Sequence, residues 1–347
     1  MVHTCVEKTS SCIGTIWLVL ITVVIMLSGC KVTDDEAQMF ENNHVEHMDK
    51  NFFEFLKMRL FGDEEWADPA NQAHLVPTTS INQSMLDNPG QALQVSWLGH
   101  STFLIQYQGL NILTDPVFSE RASPVPFAGP MRYTPVAMNI DSLPAIDYVI
   151  ISHNHYDHLD TESIKVLNKG ARFMVPEAMG DYFQDLGVDE NNIYELAWWQ
   201  HEKFDGIGIT ATPSQHWSAR SLFDRNNTHW ASWALEFDDK KIWFAGDTGY
   251  NRFDFTTIGE KFNGFDLALI PIGAYAPRSF MKLYHVNVDE AIQIHRDINA
   301  SLSVGMHWGT FPLTAEPVME PKQWLERKQA ELTRPFITMA IGATLIL

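Results

Sequence analysis

The residues best equipped for chemistry are His153, His155, Asp157 and His158, which stand together in the run ISHNHYDHLD. Three imidazoles and a carboxylate within six positions offer four metal ligands on a single loop. Three further residues stand apart: His216 in TPSQHWSAR, Asp247 in FAGDTGY and His307 in VGMHWGTF. Taken singly, a histidine beside tryptophan is often a hydrogen-bonded structural residue, and an aspartate before Thr-Gly is often a turn former. Each of the three, however, follows an apolar strand-like run, and that shared position points to one rim. The chain has three cysteines, Cys5, Cys12 and Cys30, all within its first thirty residues. The body therefore has no thiolate to offer, and a metal there must be held by His, Asp or Glu. A His/Asp ligand set is the one expected of hydrolytic zinc. No G-x-S-x-G nucleophile elbow occurs in the sequence, so nothing suggests a serine nucleophile.

The elements that must carry these residues follow from the pattern of apolar positions. Residues 95–98 and 102–105 read as strands around a Gly99-His100-Ser101 turn, and 111–114 as a third. Residues 147–152 form an apolar run that ends on the His-rich loop. Further strands are expected at 207–212, 231–237, 241–245, 266–271 and 302–306, with one long final strand over 336–347. Helices are expected at 161–168, 177–185, 287–298 and 321–333. Strands interspersed with helices argue for a layered α/β domain.

The N-terminus has a different character. Residues 13–27, IGTIWLVLITVVIML, are uncharged and apolar but short of the roughly 20 residues of a typical spanning helix. The run suits the apolar region of a signal peptide. It ends in Leu27-Ser28-Gly29-Cys30, which resembles the lipobox of bacterial lipoproteins. That resemblance implies cleavage before Cys30, lipidation of its thiol and amine, and a place on a membrane of the cell envelope, facing the periplasm or exterior. An uncleaved N-terminal anchor is the alternative. The expected organisation is a signal peptide over 1–29, a tether with an amphipathic segment over 30–92 and a catalytic domain over 93–347. Within the tether, Phe52, Phe53, Leu56 and Leu60 recur at helical spacing, for packing on the body or for contact with lipid. Residues 62–92 read as a connecting loop.

His-x-His-x-Asp-His followed by a single His, Asp and His resembles the metallo-β-lactamase superfamily, whose fold is an αββα sandwich. The segments WLGHSTFLI, LTDPVFSERASP, ISHNHYDHLD, TPSQHWSAR, FAGDTGY and HWGTF, with FDLALIPIGAY before the helix at 287–298, narrow the resemblance. Together they look like the N-acylphosphatidylethanolamine-hydrolysing phospholipase D family over roughly residues 93–315. The resemblance implies two zinc ions. His153, His155 and His216 would bind one, Asp157, His158 and His307 the second, and Asp247 would bridge both. It implies phosphodiester hydrolysis by a metal-bound hydroxide, releasing an N-acylethanolamine and leaving phosphatidic acid. Tyr156 and His285 match positions that contact the substrate phosphate. His100 and Asp115 match positions that support the ligands from behind, and a homodimer is in keeping with the family. Gly246 and Gly249 are expected to let the backbone turn tightly around Asp247.

Charge limits the alternatives. The 24 Lys+Arg stand against 43 Asp+Glu, a formal charge of -19. So acidic a chain is a poor partner for nucleic acid, which disfavours a nuclease on the same fold. Two zinc ions would set the local field for an anionic lipid in spite of that net charge. A lactonase, a β-lactamase-type amidase or a hydrolase of another small ester stays open as the second reading. A lipoprotein that keeps the motifs without activity is the third. Trp198, Trp199, Trp217, Trp230, Trp308 and Phe280 cluster near the motif segments, either as packing or as an acyl-chain groove.

Overall fold

The computed structural model describes residues 39–45, 52–62, 66, 69–204 and 206–347. The apolar run 13–27, the cleavage site and Cys30 lie outside the described residues. Among the described residues no helix is long and apolar enough to cross a membrane.

Two seven-stranded sheets lie face to face. The first has the order β14-β1-β2-β3-β4-β5-β6. Its strands are β1 (Gln94–Gly99), β2 (Thr102–Tyr107), β3 (Leu110–Thr114), β4 (Tyr148–Ile150), β5 (Arg172–Pro176), β6 (Ile193–Leu196) and β14 (Thr344–Ile346). The second has the order β13-β12-β11-β10-β9-β8-β7. It comprises β7 (His201–Phe204), β8 (Ile207–Thr212), β9 (Ser232–Glu236), β10 (Lys241–Phe244), β11 (Phe265–Pro271), β12 (Ala300–Met306) and β13 (Phe336–Thr338). Helices α2 (Thr161–Leu167) and α3 (Gly180–Asp185) cover the first sheet. Helices α4 (Arg252–Phe262), α5 (Val288–Asp297) and α6 (Glu320–Lys328) cover the second. A separate helix, α1 (Phe52–Phe61), precedes the body and leaves Glu54, Lys57 and Arg59 exposed. The layers are those of the αββα sandwich.

Strand alternation explains the layering. Ile150 points into the core between the sheets with Trp97, Phe103, Trp233 and Phe244, while Val149 and Ile151 point outward against Phe173, Phe183 and Ile164. A strand buried on both faces reads as a continuous apolar run rather than an alternating one, which is how 147–152 looked in the sequence. On the outer face of the second sheet, Phe255 and Ile258 of α4 and Ala291, Ile292 and Ile294 of α5 complete the core.

The ends of the chain depart from expectation. The run 336–347 is two strands, not one. β13 pairs parallel with β12 in the second sheet, and β14 pairs antiparallel with β1 in the first. The C-terminus thus stitches the sandwich closed. Residues 76–92 are folded onto the body: Val76 and Leu86 are buried, and Thr78 bridges Ile341. Part of the expected tether is also docked, with Phe40 buried against the second sheet's loops.

Candidate metal centre

β1, β3 and β4 run the same way within the first sheet, as do β8, β10, β11 and β12 within the second. Their carboxyl ends therefore open onto one rim. His100 follows β1, Asp115 follows β3, the 153–158 loop follows β4, His216 follows β8, Asp247 follows β10 and His307 follows β12. His100, Asp115 and His307 adopt left-handed backbone angles, φ 53°, 31° and 63°. Such strain persists only where the surroundings over-determine it, and it clusters at functional sites.

The structure brings together all seven residues expected to hold metal. His153, His155 and His216 form one group, and Asp157, His158 and His307, joined by His100, form another. Asp247 lies between them. Its carboxylate stands 3.2 Å from His158 Nε2 and 3.1 Å from His307 Nε2, with His216 Nε2 at 3.9 Å. Gly246 makes the turn at φ 57°, where a Cβ would meet that of Ser152 at 2.4 Å. Gly249 is needed for close approach instead: a Cβ there would stand 2.0 Å from the Leu283 carbonyl.

A relay of hydrogen bonds sets the tautomers. Buried Asp115 accepts from Ser152 N at 2.7 Å, from Ser152 Oγ at 2.6 Å and from His158 Nδ1 at 2.6 Å. The single Ser152 hydroxyl proton goes to Asp115, so Ser152 Oγ accepts from His153 Nδ1 at 2.9 Å. His216 donates from Nδ1 to the Tyr284 carbonyl at 3.0 Å. With their protons on Nδ1, His153 and His216 turn Nε2 lone pairs inward, and the Nδ1 bond to Asp115 sets the His158 ring with Nε2 toward Asp247. Groups behind metal-binding imidazoles commonly fix ring orientation in this way.

These lone pairs meet. His155 Nδ1 lies 2.8 Å from His153 Nε2 and 3.3 Å from His216 Nε2, and it can donate a proton to only one of them. Nitrogens on a tetrahedral ion at about 2.0–2.1 Å stand roughly 3.3 Å apart. Convergent acceptors with too few protons fit a cation, and imidazole with carboxylate is a donor set for zinc and other first-row metals.

The electrostatics differ across the two groups. Burial, reinforced by neighbouring imidazoles, pushes His153 well below the ordinary histidine range. Burial likewise takes His155 down to about 3 and holds His216 well below its usual value. In the second group burial opposes charge, but Asp247 and Asp157 outweigh it. They hold His158 well above its ordinary value and bring His307 up to about 9. Asp157 and Asp247 stay ionised despite burial because those imidazoles face them.

His100 Nε2 lies 3.0 Å from Asp157 Oδ2, behind that ligand. His285 Nδ1 reaches to 3.7 Å from Asp247 and its backbone carbonyl accepts from Arg278 Nη1 at 2.7 Å. Tyr156 lies at the outer turn of the His-rich loop. Its hydroxyl donates to the Arg220 carbonyl at 2.8 Å, and the Arg220 guanidinium stacks on its ring. Trp230 and Trp308 are buried in the packing, whereas Trp217 stands beside the centre, its ring centroid 4.3 Å from that of His155.

Residues that the sequence did not single out complete the site. Ser152, one position before the motif, links Asp115 to His153. Arg220, inside the TPSQHWSAR segment, donates from Nη1 to the carbonyls of Asn154 and Leu159, each at 2.8 Å, and so clamps both ends of the His-rich loop.

A family model described as the beta-lactamase superfamily domain matches residues 110–308. The chain is 40% identical over 291 residues to the N-acyl-phosphatidylethanolamine-hydrolyzing phospholipase D 1 of Caenorhabditis elegans, covering 79% of this chain and 82% of that protein. It is 39% identical over 275 residues to the mitochondrial N-acyl-phosphatidylethanolamine-hydrolyzing phospholipase D of Saccharomyces cerevisiae, covering 75% of this chain and 58% of that one. Among solved structures, a metallo hydrolase from Ignicoccus hospitalis superposes with a TM-score of 0.56 at 24% identity, covering 74% of this chain and 98% of its own. An isothiocyanate hydrolase from Delia radicum gut bacteria superposes with a TM-score of 0.60 at 20% identity, covering 73% and 98%. The two superpositions speak to the fold alone.

Proposed function

Because the chain belongs to the beta-lactamase superfamily, and within it to the family of the N-acyl-phosphatidylethanolamine-hydrolyzing phospholipases D, we propose that it is a two-zinc phosphodiesterase. Its substrate would be N-acylphosphatidylethanolamine or a related phospholipid, cleaved to phosphatidic acid and N-acylethanolamine. The observation that carries the reading is the gathering of seven His and Asp side chains on one rim of a chain this similar to those relatives.

His153, His155 and His216 would hold one ion and Asp157, His158 and His307 the other, with Asp247 shared. When bound, two such ions polarise a phosphoryl oxygen and lower the pKa of a water toward neutrality. The chain's own residues prepare that chemistry. Asp115 and Ser152 keep His158 and His153 turned inward, and the Tyr284 carbonyl does the same for His216. His100 pins the Asp157 carboxylate. Arg278 joins the His285 carbonyl to Glu290 and holds His285 at the rim, where its ring could meet a phosphoryl or leaving oxygen. Tyr156 serves through Arg220, by fixing the outer turn of the His-rich loop.

We further propose that residues 1–29 are removed and that lipidated Cys30 fixes the enzyme to a cell-envelope membrane. The sequence of the apolar run and its Leu-Ser-Gly-Cys end supports this. The deciding experiment is turnover of defined phospholipids by the zinc-loaded chain, with products identified by mass, beside a lactone and β-lactam panel. Release of N-acylethanolamine with phosphatidic acid supports the reading; turnover of only the other panel would sink it. Cys30→Ser should release the protein from membranes.

A further inference from the structure

We propose that Asn42 is a positioning residue for His216, and that the segment Phe40–His44 is a built part of the metal centre. The proposal rests on the metal reading of the site given above. Asn42 Nδ2 donates to the His216 carbonyl at 2.9 Å, and the His216 N–H donates to Asn42 Oδ1 at 3.0 Å. One side-chain amide thus takes both backbone groups of a single residue, as a neighbouring strand would. His216 needs this because it lies past the end of β8, where its side of the ladder has no strand to pair with. On the other side, Gln215 bridges Gly249. His216 is fully buried, so losing Asn42 would leave an N–H and a C=O without partners.

The segment is held by five further contacts. Phe40 is buried and stacks on His229, with ring centroids 4.5 Å apart and planes at 25°. Phe40 N donates to the Asn226 carbonyl at 2.9 Å, and Asn226 Nδ2 returns a bond to the Phe40 carbonyl at 3.1 Å. Asn43 Nδ2 donates to Asp254 Oδ1 at 3.1 Å, and His44 Nε2 lies 3.5 Å from the same atom. Asn42 is therefore delivered to His216 from a fixed strap. His216 has two other attachments, its Nδ1 bond to Tyr284 and its ladder neighbour. The amide clamp fixes the remaining freedom of its backbone, and with it the direction of Nε2.

The test uses the full chain and zinc alone as probe, with affinity read by chelator competition well below the unfolding temperature. Groups behind a metal ligand commonly alter affinity about 10–100-fold, and Asn42→Ala should fall at the lower end, about tenfold weaker. Asn42→Asp keeps an acceptor for the His216 N–H but turns an oxygen on its carbonyl, so it should weaken zinc as well. Glu41→Ala, at an exposed neighbour, should match the wild type. The cobalt-substituted chain should show an altered visible spectrum in both Asn42 variants. Wild-type zinc affinity and an unaltered cobalt spectrum in either folded variant would overturn the proposal, even if thermal stability fell. His216→Ala is the reference: if it too bound zinc like the wild type, the metal reading itself would be what failed.

Discussion

Asp115→Asn offers the sharpest trial of the tautomer argument, because it changes almost no volume. Asp115 Oδ1 accepts from Ser152 N, and Oδ2 accepts from both Ser152 Oγ and His158 Nδ1. An asparagine can match this in only one of two ways. With its amide oxygen toward Ser152 N, its NH2 faces His158, which must then carry its proton on Nε2, toward the metal. With the amide reversed, two donors face each other in a fully buried place, at a cost of about 1–3 kcal/mol. Either outcome weakens His158 as a ligand. Comparable substitutions behind metal-binding histidines cost about 10–100-fold in affinity, or roughly 1.4–2.7 kcal/mol. The assay is zinc affinity by chelator competition together with zinc per chain and phospholipid turnover. Circular dichroism would establish that the variant is folded. Zinc affinity within about twofold of the wild type, with unimpaired turnover, would refute the reasoning. Ser152→Ala should move in the same direction through His153, which loses its acceptor.

Three other outcomes follow from the same geometry. Asp247→Ala and His155→Ala should each abolish hydrolysis, since one removes the carboxylate between the two groups and the other the nitrogen where three imidazoles meet; near-normal turnover in either would overturn the ligand assignment. Gly246→Ala should destabilise the fold by a few kcal/mol in denaturant titration, on the order of what strained backbone and overpacking cost together, because φ is 57° and the new methyl would strike Ser152. Stability should also fall with acid. Burial holds His295 and His229 down to about 4 in the folded chain, whereas the unfolded chain takes up protons near 6.5. Their contribution is complete above pH 6.5, declines as pH drops, and is gone below about 4. Urea titrations at pH 7 and pH 5 should show the loss, and a flat profile between them would contradict it.

The His-rich loop was legible because its four residues are neighbours along the chain and the apolar run before it has to be a buried strand. Other elements left weaker traces. β5 is five residues long and begins with the exposed Arg172, and β7, HEKF, is polar except for Phe204. Helix α4, RFDFTTIGEKF, mixes Thr and Gly into a stripe that tertiary burial of Phe255 and Ile258 rescues. Its clearest local signals are Asn251, whose side chain caps Asp254 N, and the left-handed Asn263 that ends it. The final apolar run could not be divided by periodicity alone, because β13 and β14 are alike in composition and differ only in which sheet they join.

What the sequence determined by itself was the kind of site: His and Asp ligands, no thiol, and strands ending where the ligands begin. Those features are local, and strand propensity and residue chemistry express them without reference to distant parts of the chain. The tertiary structure decided everything that depends on direction. It made β1, β3, β4, β8, β10 and β12 point their carboxyl ends at one rim, turned the Nε2 atoms of His158, His153 and His216 inward through Asp115, Ser152 and Tyr284, and set Tyr156 against Arg220. It also brought Asn42 across 174 residues to the backbone of His216. Hydrogen bonds act over about 3 Å and depend on angle. Only the packed sandwich, which sets those distances to a few tenths of an ångström, could select the partners.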